Sequence, residues 1–88
     1  MEKTKSFNRQ VSFNEIMDDV ANEVSSAVKN HGYYNSAHEA YGVMCEEVRE
    51  FFDEVCKKRS LRDLKNMRKE LVQVAAVAVK TILSLELR

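Results

Sequence analysis

The residues of this chain best equipped for chemistry are acids spaced to share one seam between two helices. The run Glu46-Glu47-Val48-Arg49-Glu50 is followed one turn later by Glu54, and after nineteen further residues from Glu50 by Glu70 and Gln73. On a helical wheel at about 100° per residue with Glu47 at zero, the apolar residues fill an arc from about 20° to 160°. They are Ala37, Ala40, Tyr41, Met44, Cys45, Val48, Phe51, Phe52 and Val55. Glu54 falls near 340° and Glu50 near 300°, so Glu47 and Glu54 edge the face expected to be buried, while Glu46 and Asp53, near 250°, look into solvent. In the next helix Glu70 and Gln73 share a face, with Asp63 two turns earlier on the same stripe. Carboxylates at a core boundary need a compensating charge. Acids presented from two helices to one seam repel each other unless a cation sits between them, and a hard divalent ion such as Mg²⁺ takes oxygen ligands.

A simpler reading is a solvated acidic face paired with Arg49, Lys57, Lys58, Arg62 and Lys69, and EExxE alone does not exclude it. Glu70 does not fit that picture. From Leu71 to Leu85 apolar residues occupy every side of the wheel, and a helix that is apolar all round is buried all round.

Three helices must position these groups. Residues 1–11 are polar and form an N-terminal segment; residues 12–88 make one domain. Ser12-Phe13-Asn14-Glu15 has capping-box form. Phe13, Ile16, Met17, Val20, Val24, Ala27 and Val28 then draw one apolar stripe. His31-Gly32 ends that helix, with glycine as a left-handed cap. Ser36-Ala37-His38-Glu39 opens a second helix to about Lys58, and Ser60-Leu61-Arg62-Asp63 opens a third to about Leu87. Short connections make neighbours antiparallel. The expected fold is an all-α antiparallel helical hairpin or bundle of three main helices, completed by oligomerisation, because one hairpin cannot cover the third helix.

Composition narrows the function. The 88 residues carry 14 Lys+Arg and 14 Asp+Glu for a net charge of zero, without the basic excess of a nucleic-acid binder. No apolar run approaches the roughly 20 residues that cross a bilayer, and the first ten have no leader-like apolar core. Cys45 and Cys56, eleven residues apart on one helix, are too distant to pair and point to a reducing, cytoplasmic setting as small apolar filler. His31 suits a helix C-terminus. His38 sits on the polar side of the second helix, and neither histidine has the neighbours of a zinc site.

The two acidic segments together resemble the EExxE … ExxD signature of MazG-like nucleoside triphosphate pyrophosphohydrolases. The match runs from Glu46-Glu47-Val48-Arg49-Glu50 to Glu70-Leu71-Val72-Gln73. The flanking His38-Glu39-Ala40-Tyr41 and Gln73-Val74-Ala75-Ala76 are similar to short, phage- or prophage-associated members, and the resemblance covers about residues 33 to 85. It implies an α-helical dimer or tetramer that hydrolyses a nucleoside triphosphate to monophosphate and pyrophosphate. It also implies Mg²⁺ held by Glu47, Glu50 and Glu70, with position 73 as the fourth ligand. Glu46 matches the motif's first acid in a supporting role, and Glu54 is an additional acid; these two are the candidates for moving the proton of an attacking water.

Gln73 departs from the pattern, which has aspartate there. Glutamine offers a neutral amide oxygen and removes one negative charge from the site. A second reading therefore stands beside the first: a catalytically weak or inactive helical oligomer acting as an interaction or regulatory protein. Lys57, Arg68, Lys69 and Lys80 are the candidates to clamp phosphates, and their spacing selects none of them over an ordinary surface role. Tyr33, Tyr34 and Phe13 are candidates to stack on a base, although rings near helix ends also serve cores and interfaces.

Overall fold

The computed structural model describes residues 12–88; segment 1–11 lies outside them. Three helices follow in order, α1 (Phe13–His31), α2 (Ala37–Val55) and α3 (Leu64–Leu85), with a 3₁₀ turn at Arg59–Leu61 between the last two. Among the described residues there is no strand.

The caps explain the boundaries. The Ser12 hydroxyl accepts from the Glu15 amide at 3.2 Å and the Ser36 hydroxyl from the Glu39 amide at 3.1 Å. The Glu39 carboxylate reaches back to the Asn35 amide at 2.6 Å, one residue beyond a standard capping box. Gly32 sits at φ 72°, ψ −172° rather than in the left-handed helical well. That extended positive-φ region is open essentially to glycine alone, so glycine is required here for a different geometry than expected.

Two boundaries differ from the sequence reading. The second helix stops at Val55 rather than Lys58, and the third is capped by Asp63 rather than Ser60. The connection explains both. The Arg62 guanidinium donates to the Val55 carbonyl at 2.7 Å, and the Asp63 amide donates to Glu54 at 2.7 Å. These bonds fold residues 56–62 back over the end of α2, leaving Asp63 to accept from the Asn66 amide at 3.1 Å.

The central element is α3, with α1 and α2 both packed against it. Pairings along the chain fix the directions. Asp19 meets Arg68 at 2.8 Å, while Val20 and Val24 pack on Ala76, so α1 runs parallel to α3. Tyr34, ahead of α2, bonds to Ser84 near the end of α3, and Glu54, late in α2, reaches Asp63 and Asn66 near its start, so those two are antiparallel.

The core is thin: among the described residues the buried apolar ones are Val20, Val24, Ala40, Ala76 and Val77. On α2 the buried positions are Ala40 and Glu54, at about 20° and 340° on the wheel. The buried line therefore runs through Glu47, not through the middle of the apolar arc. The far half of the arc is left outside: Tyr41, Val48 and Phe52 are 70%, 46% and 59% exposed, and both cysteines are exposed. The third helix is likewise only half covered, with Leu71, Val79, Ile82 and Leu83 exposed on one side while Ala76, Val77 and Lys80 are buried on the other. No helix among the described residues is long and apolar enough to cross a membrane.

Candidate metal centre and adjoining cleft

Antiparallel packing with Glu47 on the seam brings the acids of the two helices together. One carboxylate oxygen from each of Glu47, Glu50 and Glu70 lies within 4.8 Å of the others. Glu47 and Glu70 are half-buried and Glu50 is exposed. Among the described residues none of the three forms an ion pair within 4.0 Å, so the trio's negative charge is left uncompensated by contact.

The electrostatics register that crowding. Glu47 is raised above its ordinary value of 4.5 by burial first, then by Glu50, Glu70, Glu46 and Glu23. Glu70 is raised by burial, then by the Glu50 carboxyl beside it; Lys69 works against this. Carboxyls crowded across a seam disfavour one another's charged form.

The other acids are placed differently. Glu46 is exposed and outside the trio, as the wheel placed it. Glu54 is close enough to raise Glu70, but its own oxygens are taken. One accepts from the Asp63 amide, the other from Lys57 at 3.1 Å and Asn66 at 3.0 Å. Those donors hold its carboxyl below the ordinary range, the Asp63 amide most of all. At 2% exposure Glu54 is the buried staple of the α2–α3 connection and is not free to take a proton from water.

A cleft of about 350 Å³ opens beside the trio, between the C-terminal half of α1, the N-terminal half of α2 and the middle of α3. Glu47 and Gln73 lie at its acidic end, and its walls include Glu23, His31, Tyr33, Tyr34, Glu39 and Lys80. Of the proposed cations, Lys57 is paired with Glu54 and Arg68 with Asp19, while Lys69 stays on a shallower surface with Arg68. Lys80 alone of the four lines the cleft, its ammonium 4.2 Å from the centre of the Tyr34 ring. Tyr34 is raised by burial, then by Glu47 and Glu39, which places its phenol in the field of the acids. Tyr33 is on the cleft wall too; Phe13 stands at the start of α1 and does not line it. His31 lines the cleft at the end of α1, and His38 is exposed in the first turn of α2.

Glu23 was missed from sequence. It is half-buried, lines the cleft and acts on Glu47. The signal was present: Glu23 lies three residues after Val20 and four before Ala27, an acid interrupting the stripe of the first helix. Comparison with protein families, curated proteins and solved structures finds no match to this chain.

Proposed function

We propose that the chain is a divalent-metal-dependent nucleoside triphosphate pyrophosphohydrolase of the MazG-like kind, and that Glu47, Glu50 and Glu70 hold its Mg²⁺. The observation that supports this is the convergence of these three carboxylates from two helices onto one point. The donor set is all oxygen and all anionic, which suits a hard cation. Oxygens bound to one Mg²⁺ lie at most about 4.2 Å apart, so the 4.8 Å spread closes with a small side-chain adjustment. Gln73, on the cleft beside Glu47, supplies an uncharged oxygen where the signature has aspartate.

When bound, the ion supplies charge neutralisation for the phosphate oxygens and lowers the pKa of a nearby water. Water adds to the α-phosphorus, the bond to the α–β bridging oxygen breaks, and nucleoside monophosphate and pyrophosphate leave. Glu23, half-buried beside Glu47, is the acid placed to accept the proton of that water; Glu54 is occupied and Glu46 faces solvent.

The active form is a homo-oligomer. Tyr41, Met44, Cys45, Val48 and Phe52 line a groove of about 580 Å³ on the outer face of α2, with Arg49 and Asp53 beside it. A two-fold partner laid antiparallel there brings each Arg49 toward the other copy's Asp53, one turn away, while covering the apolar strip. The exposed free thiols suit a reducing cytoplasm.

The test is pyrophosphate release from a panel of nucleoside triphosphates with and without Mg²⁺. The proposal expects metal-dependent release that Glu50→Gln and Glu70→Gln each abolish. A folded, oligomeric protein that releases none from any nucleotide is instead the non-catalytic interaction protein, with Gln73 as its lesion.

A further inference from the structure

Folding leaves a groove and two projecting side chains on one line of α3. On a helical wheel at about 100° per residue, Leu64, Arg68, Leu71, Val79 and Ile82 all fall within about 40° of Ala75. Ala75 is turned about 140° from Glu70, which faces α2, so this line runs along the other flank of the helix, beside α1. Its first half borders a groove of about 400 Å³ between α1 and α3. Ile16, Val20, Leu71, Val72 and Ala75 line the groove, and Arg68 is its single polar residue. The second half of the line carries Val79 and Ile82, 38% and 51% exposed. Apolar side chains standing in water beside an apolar hollow that they cannot reach on their own helix are the two halves of one contact.

A second copy supplies what each half lacks. Ala75 and Val79 stand at equal separations on either side of Val77; so do Val72 and Ile82, and so do Arg68 and Glu86. An antiparallel copy of α3, related by a two-fold axis at the level of Val77, therefore lays its Val79 over Ala75 and its Ile82 against Val72. The contact is made twice, as an isologous interface requires. The same register sets Arg68 of each copy against Glu86 of the other. Arg68 holds Asp19 at 2.8 Å, and its five N–H donors leave room for a second carboxylate. Glu86 is exposed and has no ion pair among the described residues. We propose that this flank of α1 and α3 is an interface between two copies of the chain, separate from the groove on the outer face of α2. It stands apart from the chemistry of the acids and does not rest on it. A foreign helix could fill the groove, but only a second copy brings the exposed apolar pair and the acid at the separations that match it.

The experiment is sedimentation velocity on the full chain, with circular dichroism as the check on folding. With the outer face of α2 also in use, the unmodified protein should run as a tetramer and Phe52→Asp as a dimer. Adding Ile82→Glu to Phe52→Asp should leave a helical monomer, because it puts a charge into the groove of each copy. Adding Glu86→Arg to Phe52→Asp replaces two attractions with two repulsions. It should raise the dimer's dissociation constant about tenfold at low salt and less at high salt. A Phe52→Asp protein that is helical but monomeric overturns the proposal and leaves the flank to a partner other than this chain. A mass that Ile82→Glu does not lower overturns it too. If Ile82→Glu unfolds the chain, Glu86→Arg decides, and an unchanged dissociation constant counts against the proposed register. A Phe52→Asp protein that keeps the parent's mass while Ile82→Glu dissociates it removes the α2 interface and supports this one.

Discussion

Replacing one acid of the trio by its amide should make the metal-free protein more stable and deaf to Mg²⁺. Glu70→Gln is the sharpest case, because Glu70 faces Glu50 and Glu47 across the seam and has no ion pair among the described residues. Two unit charges 4.8 Å apart repel by about 3.5 kcal/mol at an effective dielectric near 20 and by about 0.9 kcal/mol in water. Glu50 is exposed and solvent screens its share, so the lower part of that range applies. A gain of about 1 kcal/mol is expected, which for a domain of this size raises Tm by roughly 4–8 °C. The sign depends on pH. Glu47 and Glu70 are raised in the folded state. Their contribution to stability is therefore fully present below the ordinary carboxylate pKa and is lost as pH rises through the raised values. The advantage of Glu70→Gln should thus be absent in acid and appear as pH rises through the raised values. Differential scanning fluorimetry from pH 3 to 8, at zero and at 10 mM Mg²⁺ (about; the concentration need only exceed Kd), reads both effects. The unmodified protein should gain Tm with Mg²⁺ and the variant should not. A variant that melts lower than its parent at pH 7 without metal refutes the reasoning, since Glu70 then stabilises the fold through a cation of the chain itself.

Three further outcomes follow from the same structure. Gln73→Asp adds a fourth acid beside Glu47; it should lower the metal-free Tm and enlarge the Mg²⁺ shift in the same fluorimetry, and an unchanged Mg²⁺ response removes position 73 from the site. Glu54→Gln weakens the staple on Asp63, Asn66 and Lys57, so Tm should fall at pH 7. Because the Glu54 pKa is lowered on folding, its contribution is present above the ordinary carboxylate value and is lost as pH falls through the lowered one, so the two proteins' melting points should converge in strong acid. Phe52→Asp places a charge in the outer groove of α2, where burying the ring is worth about 2 kcal/mol per copy; sedimentation velocity should show the oligomer dissociating while the helical circular dichroism of each chain persists.

The first helix was legible to the residue because its signals are local. A serine cap, one stripe and a glycine at positive φ depend on neighbours within a turn or two. That acids of α2 and α3 meet on one seam was legible for a similar reason, since helical spacing fixes which residues share a line and antiparallel connection fixes which lines meet; the set Glu47, Glu50 and Glu70 came from the resemblance, because the wheel alone put Glu54 rather than Glu50 beside Glu47. What could not be read was the rotation of α2. Hydrophobicity put the buried line near the middle of the apolar arc, yet the seam runs through Glu47, with Ala40 and Glu54 as its buried positions. An apolar arc wider than one partner can cover does not say which half that partner takes. The bonds of Arg62 and Asp63 to the end of α2 were equally hidden. They join groups seven and nine residues apart across a bend, where no periodicity applies. Glu54 shows the consequence. Motif spacing made it an extra acid of the site, and the bend made it a structural acceptor.

Burial by itself does not separate structural charges from functional ones here; satisfaction does. Glu54 and Lys80 are comparably buried as whole residues, but folding supplies the Glu54 carboxylate with three donors while the Lys80 ammonium sits against the Tyr34 ring on the cleft wall and reaches solvent. A buried charge whose partners all come from its own chain is accounted for by stability, because removing it leaves those partners stranded. The acidic trio is the opposite case: among the described residues none of Glu47, Glu50 and Glu70 has an ion pair, so no partner from the fold accounts for their convergence, and the amide substitution rather than burial reads out their role.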